Sequence, residues 1–313
     1  MRIAVLTTSY PESHDDASGH FVHAEVQELT HGGASVEVFV PRGAAFGWPG
    51  VAARIREQPL RALSIPVAMA HLARRLRAAG PFDRTIAHFA IPSALPLAQV
   101  ARQGGALEIV SHGGDVRLLR ALPHPVRRAA VDAMLRRAQC WRFASDSLRA
   151  DLASSLPADQ ARALDRIARV VPPSFHMPEI AREVEALRRA NPSLGRTESA
   201  AGSGSPPLWV CAARLIPSKR VDWAIEHAAA QRAHLVIVGD GPERPRLEAL
   251  ARGARARGAK VQFLGVRPRR ETLAWIAVAD AVVHASEAEG LSTVVREAEA
   301  LGTPIVGPPW ARR

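Results

Sequence analysis

Short apolar, β-branched runs alternate along the whole chain with longer stretches whose apolar residues recur at helical spacing. The runs predict strands at Ile3–Thr7, Val36–Val40, Arg84–Ala87, Leu107–Ser111, Trp141–Ala144 and Ala168–Val171. Further on they predict strands at Leu208–Ala213, His234–Val238, Val261–Leu264, Ala281–His284 and Pro304–Val306. Many are apolar throughout rather than alternating, as suits parallel strands covered on both faces. Between them the period is helical: after Pro217, the residues Val221, Ala224, Ile225, Ala228 and Ala229 share one face. Strands and helices in regular alternation predict an α/β protein built on doubly wound parallel sheets.

The pattern breaks once. Arg196-Thr197-Glu198-Ser199-Ala200-Ala201-Gly202-Ser203-Gly204-Ser205-Pro206-Pro207 has no periodicity, and a mobile loop is expected over about 191–207. The change of domain is placed earlier, at Val171-Pro172-Pro173, giving domains 1–172 and 173–313, with an extra helix around Ile180–Ala190. A chain of 313 residues suits two such domains. No apolar run approaches the roughly 20 residues that cross a bilayer. Met1 through Thr8 reads as a buried strand and not a leader, so a cytoplasmic location is expected. Two cysteines, Cys140 and Cys211, do not make a disulfide framework.

Net charge is +11, and Lys219 and Lys260 are the only lysines among 41 basic residues. That surplus attracts nucleotide-sugars, anionic lipid surfaces or nucleic acid. Aromatics at 5% without basic–aromatic alternation argue against nucleic acid. Basic residues flank apolar helical stretches at 126–137 and 72–77. Two readings stay open for these: helices lying on the inner face of the membrane as a peripheral contact, or helices packed on the sheet with solvated arginines.

The most informative stretch for chemistry is Ala288-Glu289-Gly290-Leu291-Ser292 through Glu297-Ala298, then Gly302-Thr303-Pro304-Ile305-Val306. Ser292 is expected to cap a short helix, Gly302 to stop it, and Pro304 to prevent its continuation. A helix N-terminus offers N–H groups to a phosphate, and carboxylates such as Glu289 and Glu297 suit sugar hydroxyls. Polyol plus phosphate points to a nucleotide-sugar; the alternative is an ordinary loop–helix–strand unit with solvated glutamates. Arg214 ends a predicted strand and Lys219 opens the next helix, where two cations would face a diphosphate. Gly239 and Gly241 in Gly239-Asp240-Gly241-Pro242 would let a ligand approach the backbone, or form a plain strand–helix turn. His112 and His88 stand at predicted strand tips, on the side where ligands bind in this architecture. The loop from Thr8 to Phe21 ends in Gly19-His20 but lacks the GxGxxG spacing of a dinucleotide site. There is no HExxH, no paired CxxC and no GxSxG, so neither a metal site nor a serine nucleophile is expected.

Together these segments resemble the family 4 glycosyltransferases, retaining enzymes of the GT-B type. The likeness is strongest in Glu289-Gly290-Leu291…Glu297-Ala298…Gly302-Thr303-Pro304, which matches that family's E-x7-E signature. It extends to Arg214 with Lys219, to Gly239-Asp240-Gly241-Pro242, and to His112-Gly113-Gly114-Asp115. Gly19-His20-Phe21-Val22 and His88-Phe89-Ala90-Ile91-Pro92 complete it. The resemblance implies two Rossmann-like domains facing across a cleft and a nucleoside-diphosphate sugar as donor, with no metal or other cofactor. Arg214 and Lys219 would hold the diphosphate, Leu291 and Ser292 would offer backbone N–H groups, and Glu297 would bind the ribose. Glu289 and His112 would contact the transferred sugar, Gly19 would approach the diphosphate, and His88 would lie on the acceptor side. The acceptor would be a glycan, a lipid-linked intermediate or a small molecule, in keeping with polysaccharide biosynthesis. The family has further C-domain elements past Val306 that this sequence does not contain. The alternatives are therefore a catalytically weak partner subunit or a GT-B sugar-nucleotide epimerase.

Overall fold

The computed structural model describes the chain outside residues 12–15, 17–18, 48–50, 96–104, 192–205, 288–290 and 312–313, and only the backbone at 52, 53 and 56. The loop expected over about 191–207 therefore falls largely outside the described residues, as does Glu289. The chain divides into two compact units, one made of Met1–Pro11 and Ser18–His176 and the other containing Met177–Arg313.

The first unit carries six parallel strands: β1 (Arg2–Leu6), β2 (Ser35–Phe39), β3 (Arg84–His88), β4 (Ala106–Ser111), β5 (Ala138–Phe143) and β6 (Ala168–Val170). Their order is β2-β1-β3-β4-β5-β6. Period-two alternation sends successive side chains to opposite faces, and both faces are covered. Ala4 and Leu6 enter one core with Leu72, Val131, Met134 and Trp141, while Ile3 and Val5 pack on the other side with Val22, Val26 and Leu29. Trp141 is fully buried, and its indole N–H donates to the Ser111 hydroxyl at 2.9 Å.

The two basic helical stretches resolve here. Helix Ser64–Ala78 buries Met69, Leu72, Ala73 and Leu76, and helix His124–Leu135 buries Ala130, Val131 and Met134. These residues join the core of the first unit, as the packed reading expects, while Val67 and Val126 of the same helices stay exposed. The Arg127 guanidinium donates to the Arg120 carbonyl, and Arg136 pairs with Asp132 one turn away. Among the described residues, no helix is long and apolar enough to cross a membrane.

The second unit holds five parallel strands: β7 (Leu208–Ala212), β8 (His234–Val238), β9 (Lys260–Gly265), β10 (Ala281–Val283) and β11 (Ile305–Val306). Their order is β11-β10-β7-β8-β9. Leu235 and Ile237 face Ala224, Ile225, Ala228 and Leu247. Val236 and Val238 face Leu273, Trp275, Ile276 and Ala298, with Ile180 and, from helix Ala181–Ala190, Val184 and Leu187 against the same cluster. Each fully buried aliphatic side chain contributes about 1.5–3 kcal/mol, so these two layers fix the sheet that carries the site loops.

Candidate functional site

In open parallel sheets, ligands bind outside the strand C-termini, where the strand order reverses. In the second unit the reversal lies between β7 and β10, which run side by side. Arg214 follows β7, and Lys219 closes the short turn Pro217–Lys219 that leads into helix Val221–Ala230. After β10 the chain is tied to that turn: the Glu287 amide and the Ser286 hydroxyl both donate to the Ser218 carbonyl, at 3.0 and 3.3 Å. Arg220 clamps the junction from outside, 2.7 Å from Glu287 and 3.2 Å from Asp222. The two loops at the switch point thus behave as one surface.

The charge of Lys219 is felt on that surface. Burial first, and then the Lys219 ammonium, push His284 down to about 4. Burial pushes the Cys211 thiol up to about 12 against the pull of the same ammonium. Ser292 stands at the N-cap of helix Thr293–Ala300 as the sequence predicts, but its hydroxyl accepts no capping bond. Leu291 beside it is exposed.

Glu297 lies in the second turn of that helix and is buried. The Arg269 guanidinium donates to its Oε1 from two nitrogens, at 3.0 and 3.2 Å. Burial raises the Glu297 carboxyl above its ordinary range, and Arg269 opposes that rise. The carboxylate expected to hold a ribose is thus joined to an arginine that sequence reading did not single out.

Gly239 and Gly241 each permit a close approach by the chain's own backbone. A Cβ at Gly239 would stand 2.0 Å from the Ala213 carbonyl oxygen, and one at Gly241 2.4 Å from that of Leu215. The close approach is taken by the chain's own segment after β7, which is laced to this loop by Ala213 N–H to Val238 O and Leu215 N–H to Asp240 O, both 2.9 Å. These glycines thus seat Arg214. Gly239→Ala, at φ +131°, is expected to lower the urea unfolding free energy by roughly 2 kcal/mol or more. An unchanged midpoint would refute that packing role.

In the first unit the reversal lies between β1 and β3. Gly19 opens helix His20–His31 at φ +80°, and a Cβ there would meet Ser9 O and Tyr10 Cα at 2.8 Å. As in the second unit, the space that glycine leaves is filled on that side by backbone. His88 ends β3 and is wholly buried. It therefore does not present its side chain to an acceptor, and that expectation is corrected. Its Nδ1 lies 3.0 Å from His112 Nε2, with the ring planes only 8° apart.

His112 follows β4 and is half-buried, its ring 4.4 Å from Phe21 and 5.0 Å from Phe89, centre to centre. Asp115 organises this loop. Its carboxylate accepts from the amides of Ala90 (2.8 Å), His112 and Gly113 (both 3.1 Å), binding the loops after β3 and β4 together.

Behind the histidines runs a line of charges missed in the sequence. Glu25 Oε2 is 3.7 Å from His88 Nε2, and Glu25 Oε1 is 2.5 Å from Arg142. Arg142 Nε is 2.8 Å from Glu108, which Arg84 holds on its other side. The signal was present: Arg142 interrupts Trp141-Arg142-Phe143, and Glu108 interrupts Leu107-Glu108-Ile109. A charge inside a strand covered on both faces needs a partner. Burial pushes His88 down to about 3, with Arg142 adding to the effect. His112 is pushed well down by burial, His88 and Arg142 in turn. Burial and the Arg142 charge thus favour the neutral form of both rings.

Residues 206–311 match the family model described as "Glycosyl transferases group 1". A GDP-mannose-dependent alpha-mannosyltransferase of Mycobacterium tuberculosis (strain CDC 1551 / Oshkosh) is 31% identical over 244 residues, 75% of this chain and 58% of the relative. Both likenesses point to the group 1 glycosyl transferases. It spans little more than half the length of that curated relative.

Among solved structures, the Anabaena protein HepE in complex with UDP and glucose is 19% identical, with a TM-score of 0.59 over 98% of this chain and 80% of that one. Sucrose-phosphate synthase from Thermosynechococcus elongatus is 18% identical, with a TM-score of 0.66 over the same shares. These likenesses show the fold: two parallel-sheet α/β units of the GT-B class. In this chain, Arg214, Lys219, Leu291 and Ser292 all stand at one edge of one sheet, at its switch point.

Proposed function

We propose that the protein is a retaining glycosyltransferase of family 4 that moves a sugar from a nucleoside diphosphate to a hydroxyl of a glycan, lipid-linked or small-molecule acceptor. The observation that carries this reading is the switch point between β7 and β10, where the Arg214 and Lys219 loops meet the loop leading into helix Thr293–Ala300. The donor diphosphate binds there, against the two cations and the amides of Leu291 and Ser292. Glu297 takes the ribose hydroxyls, and Glu289 those of the transferred sugar. His112 is the first unit's partner for a sugar hydroxyl.

As the glycosidic bond breaks, negative charge grows on the leaving diphosphate while the sugar carbon becomes oxocarbenium-like. Fixed cations at the diphosphate stabilise that state more than the bound donor, which is the condition for catalysis. Arg and Lys supply this charge from the chain itself, so a chelator is expected to leave turnover unchanged. A rate that collapses in EDTA and returns with a divalent ion would contradict this.

GDP-mannose is the first donor to try, since the mycobacterial relative is named for it, and UDP-glucose, with which HepE was crystallised, the second. Nucleotide release that depends on an acceptor, with one anomeric product of retained configuration by NMR, is the expected result. No release from any GDP-, UDP- or ADP-sugar would defeat the proposal.

A further inference from the structure

We propose that Glu25 is a positioning residue for His112: its carboxylate, fixed by Arg142, sets the protons of the His88–His112 pair so that His112 Nδ1 is a hydrogen-bond acceptor for a sugar hydroxyl. The sugar hydroxyl rests on the transferase reading above; the proton arrangement does not.

Two neutral imidazoles joined nitrogen to nitrogen at 3.0 Å must have one donor and one acceptor. The other nitrogen of His88 decides which is which. His88 Nε2 is buried, makes no hydrogen bond among the described residues, and faces Glu25 Oε2 at 3.7 Å. A lone pair pointed at a buried carboxylate is repelled, whereas an N–H is attracted. The proton of His88 therefore sits on Nε2, and its Nδ1 accepts. His112 must then donate from Nε2, which leaves Nδ1 with the lone pair.

Every element around the pair holds this arrangement in place. Glu25, from helix His20–His31, is pinned by Arg142 of β5. Arg142 meets Glu108 of β4, and Glu108 meets Arg84 of β3. The Asp115 carboxylate beside His112 is occupied by three backbone amides. Phe21 and Phe89 bracket the His112 ring. A neutral acceptor nitrogen repels phosphate oxygens and welcomes a hydroxyl proton. His112 is therefore a reader of polyols and not a phosphate ligand.

The test is a long-range proton–nitrogen NMR spectrum of the full chain with labelled histidine, at neutral pH and without substrate. H112Q identifies the His112 signals. Protons on Nε2 of both His88 and His112 are expected, with E25Q showing a mixture in which His112 carries its proton on Nδ1. A wild-type His112 protonated on Nδ1, or E25Q signals that superimpose on wild type, would overturn the proposal. Should E25Q not fold, the wild-type spectrum alone still decides. In a sugar-transfer assay E25Q is expected to lower kcat/KM about tenfold, the loss of one well-placed hydrogen bond. A wild-type chain inactive with every sugar nucleotide would remove the hydroxyl assignment and the transferase reading, leaving the proton arrangement to stand on the spectra.

Discussion

Lys219→Ala is expected to lower kcat/KM for sugar transfer by about 10²–10³-fold, and Arg214→Ala by a similar factor. Lys219 closes the turn Pro217–Lys219 at the switch point, and its ammonium already depresses His284 across the β7–β10 edge. The turn is also held by the Glu287 amide and the Ser286 hydroxyl, both donating to the Ser218 carbonyl. The thermal midpoint should therefore move little while turnover collapses. Lys219→Arg should retain part of the activity, since charge survives but its point-like geometry does not. Turnover of Lys219→Ala within threefold of wild type would remove Lys219 from the site.

Acid should destabilise the fold well before ordinary carboxylates titrate. His88 and His284 are held at about 3 and about 4, and His112 well below its usual range. In the unfolded chain these rings take up protons near 6.5. Between roughly pH 6.5 and 4 the unfolded state binds more protons, so stability falls as pH falls. Each buried neutral histidine contributes on the order of 1 kcal/mol per pH unit across its window. Glu297 works in the opposite sense, since a raised carboxyl pKa favours the folded state on the acid side. Urea midpoints measured from pH 7.5 to 4.5 should decline steadily, and H284N should flatten part of that decline. A profile level down to pH 4.5 would contradict the burial of these rings.

Much of the architecture could be read from the sequence because parallel strands covered on both faces leave continuous apolar runs. Strand β8 matches its expected limits, His234–Val238, and β3 extends one residue further, to His88. Strand β5 begins at Ala138 and not at Trp141, because Gln139 breaks the apolar run without breaking the strand. The cap position of Ser292 was legible, although its hydroxyl bond is not made.

The site was legible in part. Spacing places Arg214, Lys219 and Ser292 on the same sheet edge once the strand order is known, but the order itself is not written in any local pattern. Sequence gives His88 a strand-tip position and says nothing about its side chain's direction, which proves to be inward. Gly239 and Gly241 announce a close approach without saying what approaches. Glu25 and Arg142 are far apart in the chain and meet only through folding, although charges inside apolar runs hinted at a buried network.

The central claim is that the edge formed by the ends of β7 and β10 binds the diphosphate of a sugar nucleotide. Isothermal titration of the full chain with GDP-mannose, UDP-glucose and their free nucleotides, in wild type and in Lys219→Ala and Arg214→Ala, tests it most directly. Saturable binding of at least one nucleotide, weakened tenfold or more in both variants, is the result this account predicts. Binding equally tight in all three proteins, or no binding of any nucleotide to wild type, would contradict it.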